Sequence, residues 1–214
     1  MKFLGLDNVV CLSPHPDDTE YSMAGTIAKS TETRFHILCM SRGGAPGFDK
    51  TNVNDRRQEV VSFWDKMGSK NVIVDFPDCD FLTDKTEPEW INYIENRYFQ
   101  NVSFPNYGLM VPPLQDSQFE HRFVNQFGYG LIRSKCISLF EYQTVSTLSE
   151  WTPNLSVDIW DTYNQKMDAL DKFTSQKDKP IFQWGVLESF HSDYRLKRRN
   201  VEFSEKFKIM ECFV

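Results

Sequence analysis

Short apolar runs alternate with amphipathic stretches along most of this chain. Asn8-Val-Val-Cys-Leu12 is β-branched and apolar, the signature of a buried strand, and Thr19–Lys29 follows with helical character, capped by Asp18 or Thr19. The alternation then repeats. Arg34–Ser41 reads as a strand, Asp55–Met67 as an amphipathic helix with Val60, Val61, Phe63, Trp64 and Met67 apolar, and Asn71–Phe76 as a strand. Glu87–Tyr98 is helical, Tyr107–Val111 a fourth strand, Gln118–Ile132 helical, and Cys136–Tyr142 a fifth strand. Strands separated by helices of this length predict parallel βαβ units, hence a Rossmann-like three-layer α/β/α fold around a mostly parallel sheet of at least five strands. From Thr144 the pattern loosens. It predicts a loop at Trp151–Asn154, a long helix over Asp158–Ser175, a strand or loop return over Ile181–Phe190, and an edge strand from Phe203 to Val214.

Composition narrows the picture only slightly. The 214 residues suit one domain spanning 1–214 and are too few for two comfortable ones. A net charge of −6 argues against a general nucleic-acid partner, and the basic run Arg195–Arg199 reads as a solvated face balancing Glu202 and Glu205. Five cysteines, an odd number with no Cys-x-x-Cys pair, suit a reducing compartment, with Cys11, Cys39 and Cys136 as small core residues. No apolar stretch approaches the roughly 18 residues of a membrane span. Met1–Leu6 is cut short by Asp7 and does not read as a signal peptide, so the expected location is cytoplasmic.

Chemistry concentrates where the first apolar run ends, in Leu12-Ser-Pro-His-Pro-Asp-Asp-Thr19. That segment forms a strand-to-helix turn, and ligands of open α/β sheets bind at the carboxyl ends of strands. Pro14 and Pro16 stiffen it. His15 and Asp18 offer an imidazole and a carboxylate to zinc or another divalent first-row metal, while Asp17 leaves the turn in a different direction and is free to act as a base. A plain helix start, with the aspartates satisfying backbone N–H groups, is the competing reading. Two ligands do not make a site, and the chain has four histidines. His36 sits mid-strand between Phe35 and Ile37 and reads as structural. His121 follows the fourth strand through a polar segment; if strands one and four are neighbours where strand order reverses, it can meet His15 and Asp18. Two histidines and one carboxylate with the fourth position open is a catalytic arrangement.

Pro14-His-Pro-Asp-Asp18, with Gly25-Thr26 on the following helix, resembles the signature of the LmbE-like, PIG-L family of zinc-dependent N-acetylglucosaminyl deacetylases. Other pieces agree in order: Arg56-Arg-Gln-Glu59 with the family's Arg-x-x-Glu helix, Phe76-Pro-Asp-Cys79 with its Pro-Asp-Gly turn, Asp158-Ile with Lys166 to Ser175-Gln176, and Glu188-Ser-Phe190. The resemblance implies zinc on His15, Asp18 and His121, with Fe2+ or Mn2+ fitting the same ligands. It also implies Asp17 as general base, Arg56 and Asp78 on the sugar, a small-molecule amino-sugar substrate, and a homo-oligomer, although no interface is legible.

Two departures from the family pattern bear on the chemistry. Thr19 stands where the family has glutamate, which removes a carboxylate next to the metal ligands. The family's His-x-Asp-His reads Gln118-Phe-Glu-His121, keeping only the final metal-binding histidine. A glutamine amide still donates to a developing oxyanion but has no useful pKa, so leaving-amine protonation falls to Asp17 or to His191. The expected activity is metal-assisted removal of an N-acetyl group; the alternative is a non-hydrolytic relative acting as a metal-dependent sugar-binding or assembly protein. A metal-free nucleotide-binding enzyme is disfavoured by the lack of a Gly-x-Gly-x-x-Gly turn.

Overall fold

The computed structural model describes residues 1–43, 53–99, 107–133, 138–192, 197 and 201–212. Among these residues seven strands form one sheet: β1 (Asn8–Ser13), β2 (Arg34–Cys39), β3 (Val72–Asp75), β4 (Tyr107–Val111), β5 (Ser138–Tyr142), β6 (Leu155–Asp158) and β7 (Ser204–Cys212), in the order β3-β2-β1-β4-β5-β7-β6. The first five are mutually parallel, and β7 runs antiparallel to both its neighbours. The α/β layering and the parallel β1–β5 core are as the periodicity predicts.

Helices α1 (Asp18–Lys29), α2 (Val53–Met67), α3 (Glu87–Ile94), α4 (Phe119–Gly130), α5 (Trp160–Leu170) and α6 (Trp184–His191) cover the two faces. Alternate residues of β1 serve opposite cores: Val9 and Cys11 pack with α1, α2 and α5, whereas Val10 and Leu12 pack with α3 and α4. Thus α1, leaving β1, and α4, leaving β4, diverge to opposite sides of the sheet. Between them, at the reversal of strand order, a crevice opens. Among the described residues no helix is long and apolar enough to cross a membrane.

The C-terminal third departs from the sequence-based expectations. The long helix over Asp158–Ser175 is α5 alone: Asp158 ends β6 and accepts the Trp160 N–H at 2.9 Å, while tight turns follow Leu170. Those turns deliver Phe173 to the core against Phe63, 5.6 Å between ring centroids, at the expense of helix continuity. Ile181–Phe190 is no strand but a 3-10 turn, Pro180–Phe182, running into α6. β7 is not an edge either; it lies between β5 and the short edge strand β6, which the loop reading of 151–154 and the helix reading from 158 had left no room for. The helix over Glu87–Tyr98 ends at Ile94 and passes into a π turn, Glu95–Phe99. Cys136, residues 44–47 of the loop after β2 and most of the Arg195–Arg199 run lie outside the described residues.

A buried ionic cluster ties this C-terminal unit to α1. Lys166, on α5, is fully buried and donates to Glu205 Oε1 at 2.6 Å, to the Tyr21 carbonyl at 2.6 Å, and to His191 Nε2 at 2.7 Å. Glu205, on β7, also accepts the Gly25 and Thr26 N–H groups at 2.9 and 2.6 Å. A side chain at Gly25 would meet Ile159 at 2.8 Å and Glu205 at 3.1 Å, so only glycine lets α1 come this close. Because removing one partner leaves an uncompensated buried charge, Glu205→Ala should cost about 3–5 kcal/mol in chemical denaturation, and the double variant Lys166→Met/Glu205→Leu should recover much of the loss.

Candidate metal centre and the acid beside it

The turn after β1 is held from several sides. Tyr142 Oη donates to the Leu12 carbonyl at 2.7 Å, Ser13 Oγ to the His15 carbonyl at 2.7 Å, and Ser41 Oγ to the Pro14 carbonyl at 2.7 Å. The His15 N–H returns to Asp18 Oδ2 at 2.9 Å and closes the turn on itself. From the other side of the crevice, α4 brings His121, fully buried.

Three donor atoms converge there. Asp18 Oδ2 lies 3.1 Å from His15 Nδ1 and 3.2 Å from His121 Nε2, and the two imidazole nitrogens are 3.2 Å apart. Among the described residues, these are the side chains grouped with metal-binding spacing, all three buried and their donor atoms within 4.8 Å of one another. The remaining ring nitrogens decide whether lone pairs face inward. His15 donates its Nε2–H to Glu120 Oε2 at 2.8 Å, and His121 donates its Nδ1–H to Asp116 Oδ2 at 2.9 Å. Each imidazole is thereby fixed in the tautomer that leaves the inner nitrogen bare, the arrangement typical of histidines that ligate a metal. The residues fit a divalent cation.

Without a cation the cluster attracts protons. Burial works against the charge of both imidazoles, but the Asp18 carboxylate, with Glu120, raises His15 to about 10, and Asp18 with Asp116 raises His121 to about 9. Burial likewise opposes the Asp18 charge, yet the two rings hold it below the carboxylate range. Asp17 behaves differently. Burial raises it to about 6 against the pull of Arg56, whose Nη2 donates to Asp17 Oδ2 at 3.1 Å and to the Pro16 carbonyl at 2.8 Å.

Not every sequence-predicted residue reaches the crevice. His15, Asp17, Asp18, Arg56 and Gln118 line one cavity of about 250 Å³, with Gly43, Glu120, Val145, Lys179 and Ile181. His121 sits behind its wall. Arg56, expected on the sugar, spends its described hydrogen bonds on Asp17 and Pro16. Asp78 is exposed beyond β3 and does not line the cavity. His191 is a correction as well: it is fully buried in α6, donates Nδ1–H to the Leu187 carbonyl at 2.8 Å and faces Lys166, whose charge with burial keeps its pKa well below the usual range. It is unsuited to be a proton donor.

Gln118 immediately precedes α4. Its side-chain amide donates to Ser146 Oγ at 3.1 Å, and its backbone N–H goes to Asp116 Oδ1 at 2.8 Å. Glu20 does not replace the carboxylate absent at Thr19: buried and raised to about 8, it accepts the Trp64 indole N–H at 2.7 Å. Asp116, Glu120 and Ser146 were missed by the sequence reading. The signal was available, since a metal-ligating histidine nearly always gives its second nitrogen to an acid or carbonyl, and two acids lie within five residues of His121.

Fold and site define a class: a doubly wound α/β protein with a two-histidine, one-carboxylate donor set at its switch point and a separate, partly buried acid alongside. Residues 10–132, more than half of the chain, match the family described as PIG-L: GlcNAc-PI de-N-acetylase, and the chain belongs to this LmbE-like family. No curated protein sequence matches it. Among solved structures it is similar to the 4-carboxy-2-hydroxymuconate hydratase GalB of Pseudomonas putida, at 15% identity and a TM-score of 0.74, covering 100% of this chain and 98% of that one. It is also similar to the N,N'-diacetylchitobiose deacetylase of Pyrococcus horikoshii, at 20% identity and a TM-score of 0.73, covering 98% and 85%. A teicoplanin deacetylase in its zinc inhibited form is 11% identical with a TM-score of 0.68, covering 94% and 97%. At these identities the likeness establishes the shared fold.

Two outcomes follow for metal binding. Ligation requires bare imidazole nitrogens, so zinc uptake near pH 7.5 should release about two protons per ion, and affinity should rise with pH until His121 and His15 have lost theirs. Titration calorimetry in buffers of different ionisation enthalpy measures that release. Asp116→Ala, which removes the partner of His121, should weaken zinc binding by about 10–100-fold in a competition assay with a chelating dye.

Proposed function

We propose that this protein is a metal-dependent hydrolase that removes the N-acetyl group from an N-acetylglucosamine-type amino sugar or its conjugate. One observation carries the reading: a single cavity is lined by His15 and Asp18, two of the three clustered donors, and by Asp17, a partly buried acid outside that set whose pKa lies near 6, while His121 completes the set from a fully buried position. Family membership and the similarity to deacetylases support it. Zinc is the expected metal, and Fe2+ or Mn2+ suits the same donors. A divalent cation there supplies Lewis acidity, which makes water a better nucleophile near neutral pH and polarises an amide carbonyl.

The chain's own groups do the rest. Asp17 is ionised above about pH 6 and takes a proton from the attacking water; Arg56 fixes the carboxylate in place and favours its charged form. Gln118 has a second amide N–H beyond the one given to Ser146, and donates it to the carbonyl oxygen as charge develops there. As the carbon–nitrogen bond breaks, Asp17 returns its proton to the leaving amine, a role closed to His191, which is fully buried, bound to Lys166 and the Leu187 carbonyl, and absent from the cavity lining. Acetate and a free amino sugar result.

Amine release from N-acetylglucosamine and its conjugates, with and without a chelator, tests the reading. Metal-dependent amine release is expected; metal-dependent sugar binding without release would instead identify a non-hydrolytic relative. Asp17→Asn should keep its zinc and lose activity by about 10²–10⁴-fold. Because the base must be unprotonated, kcat/KM should fall as pH drops through about 6. Arg56→Gln, by removing the charge that favours ionised Asp17, should move that limb to higher pH.

A further inference from the structure

Glu59 lies one helical turn beyond Arg56 on α2 and is buried. Its Oε1 accepts from Thr174 Oγ1 at 2.9 Å and from the Ser175 N–H at 2.7 Å, its Oε2 accepts from Ser175 Oγ at 2.7 Å, and the same Oε2 stands 4.0 Å from Arg56 Nε. One carboxylate thus faces the arginine that holds Asp17 and also fastens the turn after α5. The chain leaving that turn runs directly to Lys179 and Ile181, which line the cavity. Besides Glu59, Tyr21 Oη donates to the Ile181 carbonyl at 2.9 Å, and Phe182 packs against Tyr21 at 5.7 Å and against Phe173 at 5.9 Å between centroids.

We infer that Glu59 is a positioning residue for substrate binding, latching the Lys179–Ile181 wall of the cavity to the same helix that carries Arg56. Two physical features favour this over a purely structural role. A carboxylate taking three hydrogen bonds from two consecutive residues over-determines their placement far beyond what a surface turn requires. The stretch so placed leads to the cavity wall, where Lys179 is exposed beside Asp17 and Ile181 lines the cavity while packing on the core behind it. The inference rests on the proposed hydrolase reading for its kinetic consequences and on the hydrogen bonds alone for its structural ones.

The variants separate the latch from the charge. Thr174→Val/Ser175→Ala removes both hydroxyl bonds and leaves the carboxylate facing Arg56. Glu59→Gln keeps an acceptor for the Ser175 N–H and can donate to Ser175 Oγ, so it preserves most of the latch. Amine release from p-nitrophenyl N-acetyl-β-glucosaminide, normalised to bound zinc, is the kinetic readout. For the double variant KM should rise about threefold or more with kcat within a factor of about two, the signature of lost uniform binding; Glu59→Gln should leave KM closer to wild type. A general structural loss would lower kcat per chain and spare KM. Hydrogen exchange of the 176–183 amides should be faster in the double variant than in wild type. If the double variant folds poorly, Ser175→Ala alone gives the same comparison at smaller amplitude. Unchanged KM overturns the inference. Should the wild-type protein release no amine from this probe, the hydrolase reading fails for it, and unchanged exchange at 176–183 then overturns the latch independently.

Discussion

Asp18 is shared by two imidazoles that arrive from different strands, and the rest of the site is built to make that sharing tolerable. A buried carboxylate between two buried rings is costly to desolvate unless each partner is itself satisfied. Glu120 and Asp116 satisfy them, each taking the outward-facing ring nitrogen at 2.8 and 2.9 Å. The arrangement also depends on register. Cys11 pairs with Met110 across β1 and β4, so the two strands end level and their following helices diverge from one point. Were β4 inserted elsewhere in the sheet, His121 would move at least one further strand spacing, about 4.8 Å, away from Asp18, too far for a single ion.

On the other side of Asp18, Asp17 is governed by different neighbours. One aspartate is held charged by imidazoles while the next is raised by burial and restrained by a guanidinium. Adjacent acids with pKa values pushed apart can take separate roles, one as ligand and one as proton carrier. The separation is produced by backbone direction at the start of α1 and by Arg56, which reaches in from α2. Gly43 belongs to the same device: its φ of 74° and the 2.9 Å approach of Arg56 Nη1 to where a side chain would begin leave no room for any other residue.

Substitution at Gln118 changes what the α4 side of the cavity can do. An imidazole there could both donate a hydrogen bond and carry a proton, whereas an amide cannot carry one, and one of its two N–H groups is already directed to Ser146. Under the proposed hydrolysis, proton transfer is therefore concentrated on Asp17. His191 is withdrawn into the Lys166–Glu205 cluster, where burial and a positive neighbour hold its pKa well below the usual imidazole range.

Local chemistry determined much of this protein from its sequence. Alternating apolar runs and amphipathic stretches specify β1 to β5 and the helices between them, because burial on both sheet faces demands continuous apolar strands and one-sided helices. The meeting of His15, Asp18 and His121 beside Asp17 was legible because three of these residues fall within four positions at a strand end and few histidines could join them. Tertiary structure decided the rest. The short edge strand β6, the interior position of β7 and the truncation of α5 at Leu170 follow from long-range pairing and from Phe173, Thr174 and Ser175 finding partners on α2, none of which leaves a periodic trace. Asp116, Glu120 and Glu59 act only through side chains they meet in space. Asp78 and His191 carried suitable chemistry in the sequence and were placed by the fold where that chemistry has no access to the cavity.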